Sequence, residues 1–211
     1  MARSRWKWWI AKPVVFLACL TPISLLCYWA FTDQLSPNPI SDVTNETGIW
    51  TLRFVMIALA ITPIRRLTGW QSIIRFRRMI GLFAFFYGSL HFLTYILLDQ
   101  GLHFDDILKD IPKRPFITVG FTAFVLMIPL AVTSTRKWIA RLGGKRWEML
   151  HRLIYLTGIA GVIHYYWGVK LDTTRPVRYG ILLAVLLGAR ALYRAQTARR
   201  KPQVYEESVA S

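Results

Sequence analysis

Acidic residues are scarce in this chain. Only 11 aspartates and glutamates stand against 27 lysines and arginines among 211 residues, and charge of either sign makes up 18% of the sequence. A soluble domain carries about 25% charged residues, interleaved with apolar ones at helix or strand spacing. Here charge is missing from whole segments: 20 residues between Lys12 and Asp33, 20 between Arg78 and Asp99, 21 between Arg114 and Arg136, and 17 between Arg152 and Lys170. Each is long enough to cross a hydrocarbon layer of about 30 Å as a helix. The gaps argue against a soluble fold, and against nucleic acid as the partner that the net charge of +16 would otherwise suggest. Glycine-rich phosphate loops are also lacking, with neither G-x-G-x-x-G nor a Walker-type motif, so the chain has no Rossmann domain of its own for NAD(P)H. Its two cysteines, Cys19 and Cys27, lie eight residues apart on one apolar segment, where a disulfide between them is geometrically excluded.

What is present is an all-α integral membrane protein, predicted as a six-helix transmembrane bundle. The spans are expected at 13–31, 48–64, 79–98, 115–133, 150–168 and 177–194, the weaker second and sixth carrying Arg53, Arg178 and Arg190 near their ends, where long basic side chains reach the interface. Residues 1–12 read as a cytoplasmic N-terminus, 13–194 as one six-span transmembrane domain and 195–211 as a flexible cytoplasmic tail. The basic start followed by an apolar stretch is similar to a signal peptide, but no A-x-A-like site follows, so it reads as an uncleaved first helix. Six spans put both termini on one side. That side holds 20 bases and three acids, a net of +17, whereas the other holds seven bases and eight acids, a net of −1. The positive-inside rule makes the basic side cytoplasmic. Trp70, Trp138 and Trp147 in its loops read as interfacial anchors. Asp99 to Arg114, with four aspartates, is either a docking segment or a solvated connector.

Four histidines carry the candidate chemistry. His103 falls in a polar outer loop and reads as solvated. His91, His151 and His164 fall in the third and fifth spans, where an imidazole is costly unless it faces the bundle interior and finds a partner. His91 and His164 both belong to the outer half of the bilayer, and on neighbouring helices they can ligate one haem iron from opposite faces. Gly88 and Gly161 each precede one of them by three residues, which either lets a flat macrocycle approach the backbone or reflects ordinary small-residue packing. His151 lies about 20 Å from His164 along a helix, a spacing that suits a second haem, but about 140° away in rotation, so both can share a face only if the helix is overwound, for instance at Gly158 or Gly161. The matching level on the third span is Arg77, a poor iron ligand, with Met79 as a substitute. His151 can equally meet a flavin, a quinone head group or a phosphate. Arg75, Arg77, Arg78, Lys145 and Arg146 can pair with a flavin phosphate, since guanidinium forks match phosphate oxygens.

The stretches Arg75–Asp99, Gly144–Leu156 and His164–Lys170, with the Thr-Pro-Ile-Arg-Arg motif at 62–66, resemble the haem-binding membrane subunits of bacterial periplasmic methionine sulfoxide reductase systems. Those subunits are similar in turn to the transmembrane core of ferric reductases and NADPH oxidases. The resemblance implies a b-type cytochrome of the inner membrane, with one or two haem b groups and FMN, that passes electrons to a periplasmic molybdopterin-containing reductase repairing oxidised methionines. It carries the family's haem histidines onto His91, His151 and His164; the wider oxidase pattern has another histidine where this chain has Arg77. Electrons are expected from a cytoplasmic flavin reductase or from membrane quinol, and membrane lipid is the surrounding partner. The rival readings are a self-contained ferric or quinone reductase and a small proton-coupled transporter.

Overall fold

The computed structural model describes the backbone of residues 2–209 and the side chains of residues 9–196 apart from Phe104 and Asp106. Nine α-helices and no strands occur among the described residues: α1 (Ala2–Phe31), α2 (Pro39–Thr68), α3 (Arg77–Thr94), α4 (Phe104–Lys113), α5 (Pro115–Val132), α6 (Arg136–Leu142), α7 (Gly144–His151), α8 (Leu153–Gly168) and α9 (Thr174–Val209). Five of the helical segments are long and apolar enough to cross a membrane: Trp9–Phe31, Pro39–Thr68, Gln71–Asp99, Pro115–Val132 and Thr174–Gln196. Helix α8 has 16 residues, or about 24 Å. It is not among those five, although its Tyr155 lines one cavity and its Tyr165 another.

Local sequence sets the helix ends. Asn38 caps α2 by accepting from the Ser41 N–H at 3.2 Å with Pro39 in the first turn, and Gly69 at φ 69° stops it. Thr135 caps α6 by accepting from Trp138. The third membrane segment is not one regular helix: a 3₁₀ turn, Gln71–Phe76, leads into α3, and a π turn, Tyr95–Asp99, follows it. The expected fifth span is broken too. Arg152 donates back three residues to Met149 at 3.2 Å, and this tight turn separates α7 from α8. Helical backbone also continues through residues expected as a flexible tail, because Ala, Gln, Arg, Lys and Glu after Arg194 are favourable helix formers.

Helix α2 is central, with half of its most apolar stretch buried compared with 28% or less for the other crossing segments. Its Leu52, Val55 and Leu59 join Phe83, Ala84 and Tyr87 of α3, Met127 of α5 and Leu183 and Leu186 of α9 in one core. Apolar residues such as Phe16, Leu17, Val185 and Leu192 face outward from α1 and α9, as lipid contact requires. Apolar surface is no reason for helices to associate inside lipid, so polar ties matter. Tyr87 supplies one: its hydroxyl donates to the Cys19 carbonyl at 2.9 Å and accepts from the Ile23 N–H at 3.0 Å. These are the partners that would bond to each other in a regular helix, and the phenol enters α1 beside Pro22.

Helices α2 and α3 pack closely on each other, as do α5 and α8, while contacts between the two pairs are sparser. The seam between the pairs carries the candidate site.

Candidate functional site

His91 on α3 and His164 on α8 face each other across this seam with ring centroids 5.9 Å apart and planes at 71°. Each ring is held from behind by a carbonyl. His91 Nδ1 donates to Thr44 at 2.9 Å, and His164 Nδ1 donates to Phe116 at 2.7 Å. Because a carbonyl only accepts, the proton of each neutral imidazole sits on Nδ1 and the Nε2 lone pair is left for a metal. The same arrangement fixes the orientation of ligating histidines in metal sites generally. The 5.9 Å separation is a few tenths of an ångström short of the roughly 6.3 Å that two rings on opposite sides of one ion would span at about 2 Å per bond, so a small outward shift of the rings would admit the ion.

Two glycines on the neighbouring helices make space for the rings. A Cβ at Gly48 of α2 would stand 3.0 Å from His91 Cε1, and one at Gly120 of α5 would stand 2.6 Å from His164 Nδ1. Gly88 and Gly161 have the other role considered from sequence: a Cβ there would meet Thr51 Cγ2 and Leu52 Cδ1 at 3.4 Å, so both are sites of helix packing. The periodic glycines were visible in sequence, but the ones that matter to the rings lie on other helices.

No group of three or more His, Cys, Asp and Glu side chains gathers to hold a bare metal ion among the described residues. Two imidazoles fall short of the four ligands that a bare transition ion usually takes from protein and water. They suffice for iron whose equatorial positions a porphyrin fills. The donor set therefore fits haem.

The opposite end of the bundle holds a basic cavity of about 190 Å³, smaller than the roughly 300 Å³ usual for small-molecule clefts. A head group fits it better than an entire dinucleotide. Its guanidinium groups come from Arg66, Arg77, Arg152, Arg190 and Arg194, beside Trp147, His151 and Tyr155. Of the arginines expected to meet a flavin phosphate, only Arg77 lines this cavity; Arg75 and Arg78 are exposed on the turn before α3 and at its start, and Lys145 and Arg146 are exposed on α7. In the sequence, Arg66 stands out only as the last residue of the Thr-Pro-Ile-Arg-Arg motif, and Arg190 and Arg194 only as bases at the end of a span. His151 stacks on Trp147 with ring centroids 4.0 Å apart, and its Nε2 lies 3.0 Å from the Thr133 hydroxyl, which itself donates to the Pro129 carbonyl at 2.6 Å. Nε2 of His151 is thus the donor to that oxygen, leaving Nδ1 open. Thr133 and Phe116 lie at opposite ends of α5, about 25 Å apart, which separates His151 from the facing pair. His103 is exposed in the loop between α3 and α4, with Nδ1 bonded to the Gln100 carbonyl at 2.9 Å.

Residues 47–162 match the family described as ferric reductase like transmembrane component. The chain is 50% identical over 186 residues to the protein-methionine-sulfoxide reductase heme-binding subunit MsrQ of Herminiimonas arsenicoxydans, covering 87% of this chain and 85% of the relative. It is 51% identical over 188 residues to the MsrQ of Ralstonia nicotianae, covering 88% and 87%, and 45% identical over 208 residues to that of Xanthomonas oryzae pv. oryzae, covering 95% and 94%. The chain belongs to the MsrQ family. His91 and His151 lie inside the ferric reductase-like stretch, and His164 falls just beyond its end. For an MsrQ chain, the facing pair and the basic cavity are the features most relevant to its chemistry.

Proposed function

We propose that this MsrQ chain is a six-pass b-type cytochrome of the bacterial inner membrane that conducts electrons from the cytoplasmic side to a periplasmic, molybdopterin-containing methionine sulfoxide reductase. The observation that carries this reading is the facing of His91 and His164 with both Nδ1 protons committed to carbonyls. Haem b bound there would supply a one-electron carrier, and FMN at the cytoplasmic end would supply a centre able to exchange one or two electrons. His91 and His164 would hold the iron through Nε2, and the Thr44 and Phe116 carbonyls keep each ring in the tautomer that leaves Nε2 free. At the basic end, Arg77, Arg190 and Arg66 would meet the FMN phosphate in a cavity sized for that group rather than for the whole nucleotide, and His151 would offer Nδ1 to a proton or, as the family resemblance implies, to a second iron.

The charge asymmetry supports the cytoplasmic assignment of the basic end, and α8 would be the sixth pass. The donor in this reading is a cytoplasmic flavin reductase or membrane quinol. The test uses purified chain in detergent: haem-to-protein ratio, reduced-minus-oxidised spectrum, and the rate at which the reduced chain is reoxidised by the periplasmic reductase with methionine sulfoxide. The expected result is a low-spin b-type spectrum and substrate-dependent reoxidation. A chain with no haem bands would overturn the reading. Direct reduction of ferric iron or quinone without any response to the reductase would replace it with a self-contained membrane reductase.

A further inference from the structure

The outer end of the bundle has a second cavity, of about 410 Å³, formed by Ile49 and Arg53 of α2, Tyr165 of α8, and Arg175, Arg178 and Tyr179 at the start of α9. Three guanidinium groups line it and no carboxylate does. Arg53 is half-buried in the outer half of α2. Its Nε donates to the Tyr179 hydroxyl at 3.1 Å, and its guanidinium carbon lies 4.5 Å from the Trp50 ring centroid. Neither partner neutralises it, and none of the three arginines makes an ion pair among the described residues. The neighbouring Asp172 is exposed and accepts from the Thr174 N–H at 2.9 Å. Arg175 and Arg178 are exposed near Asp172 at the start of α9, whereas the half-buried Arg53 carries the cost of a cation at membrane depth that no anion of the chain meets.

The place of this cavity says which anion. Ile49 follows Gly48, whose Cα backs the His91 ring, and Tyr165 follows His164. The cavity therefore opens on the α2/α8 edge of the seam, at the level of the histidine pair. The opposite α3/α5 edge is closed by rings: Phe92 lies on Phe124 at 4.8 Å and on Phe121 at 5.7 Å, and Phe85 on Phe124 at 5.8 Å. The seam is thus apolar along one edge and cationic along the other. Haem has the same division, with two propionate carboxylates on one edge and only hydrocarbon substituents opposite.

Resting on the haem reading above, we propose that Arg53, Arg175 and Arg178 receive the haem propionates. The macrocycle then lies in the seam with its carboxylate edge toward α9 and its hydrocarbon edge against Phe85, Phe92, Phe121 and Phe124. Arg53 is the inner contact and positions Tyr179, while Arg175 and Arg178 close the site from α9.

The test compares haem b with its dimethyl ester, in which both carboxylates are capped. Each is reconstituted into full-length apoprotein, wild type and the Arg53→Gln and Arg178→Gln variants, and retention and midpoint potential are measured. Wild type is expected to hold the ester about tenfold more weakly than haem b, the scale of one lost charge-assisted hydrogen bond. Each variant is expected to shrink that ratio and to lower the haem b midpoint, since losing a nearby cation favours the ferric form. Equal retention of both haems by wild type would overturn the proposal, and this arm requires no variant to fold. A ratio unchanged in folded variants that instead lose copurifying phospholipid would also overturn it, assigning the arginines to a lipid phosphate. Failure of wild type to bind either haem would remove the underlying haem reading itself.

Discussion

The Arg190 guanidinium on α9 donates through Nη2 to the Leu59 carbonyl on α2 at 2.7 Å. That carbonyl is available for a reason visible in the chain: its helical partner four residues on is Pro63, which has no N–H. Nη1 of the same guanidinium donates to the Tyr155 hydroxyl at 2.8 Å, so one side chain ties α9 to α2 and α8 at the wall of the basic cavity. The proline thus creates an acceptor, and the arginine that answers it is 127 positions later.

Arg190→Gln is expected to destabilise the bundle by about 1.5–3 kcal/mol, the range for hydrogen bonds to charged groups. In Pro63→Ala, residue 63 regains its N–H and the Leu59 carbonyl regains a helical partner, so the cost of Arg190→Gln should be smaller in that background. Thermal unfolding in detergent of the two single variants and the double variant measures the coupling, and strict additivity would contradict this account.

Glycine substitutions should separate the ring cradle from helix packing. Gly120→Ala places a Cβ 2.6 Å from His164, and Gly48→Ala places one 3.0 Å from His91. Both are expected to reduce the haem α band per protein, the first more strongly. Gly88→Ala and Gly161→Ala meet neighbours only at 3.4 Å and should retain most of it.

His91→Ala and His164→Ala should each abolish the low-spin spectrum, because each removes one of the two facing imidazoles. His151, at the end of α7 beside Thr133, is remote from that pair, so His151→Ala should leave the spectrum in place while slowing reduction by the proposed electron donor. Dithionite reduction compared with donor-driven reduction distinguishes the two effects. Loss of the outer spectrum in His151→Ala would show that His151 contributes to the same centre.

Tyr87→Phe removes the hydroxyl that both donates to Cys19 and accepts from Ile23. A cost of about 1–3 kcal/mol is expected for leaving those buried groups without their partner, read as a lowered unfolding temperature with an unchanged haem spectrum. A variant as stable as the parent would mean that α1 closes its own ladder once the phenol is gone.

Charge-free runs and the +16 net charge already determined that this chain is helical, membrane-embedded and asymmetric in charge, because the cost of a charge in hydrocarbon is a property of each residue wherever it lies in the fold. The same cost singled out His91 and His164, and their equal depth follows from helical rise. Tertiary structure decided the rest. Gly48 and Gly120 cradle the rings from helices the histidines do not belong to, and a tight turn at Arg152 puts His151 and His164 on separate helices, so the overwinding at Gly158 or Gly161 that one continuous helix would need to align them does not arise. Among the many arginines that topology alone would explain, packing places Arg77 and Arg190 at the cavity beside His151 and Arg53 at the cavity beside Tyr165. A one-dimensional pattern gives depth and periodicity along a single helix. Which faces meet across the seam depends on helix rotation and pairing, and these are fixed only by contacts between residues far apart in the chain.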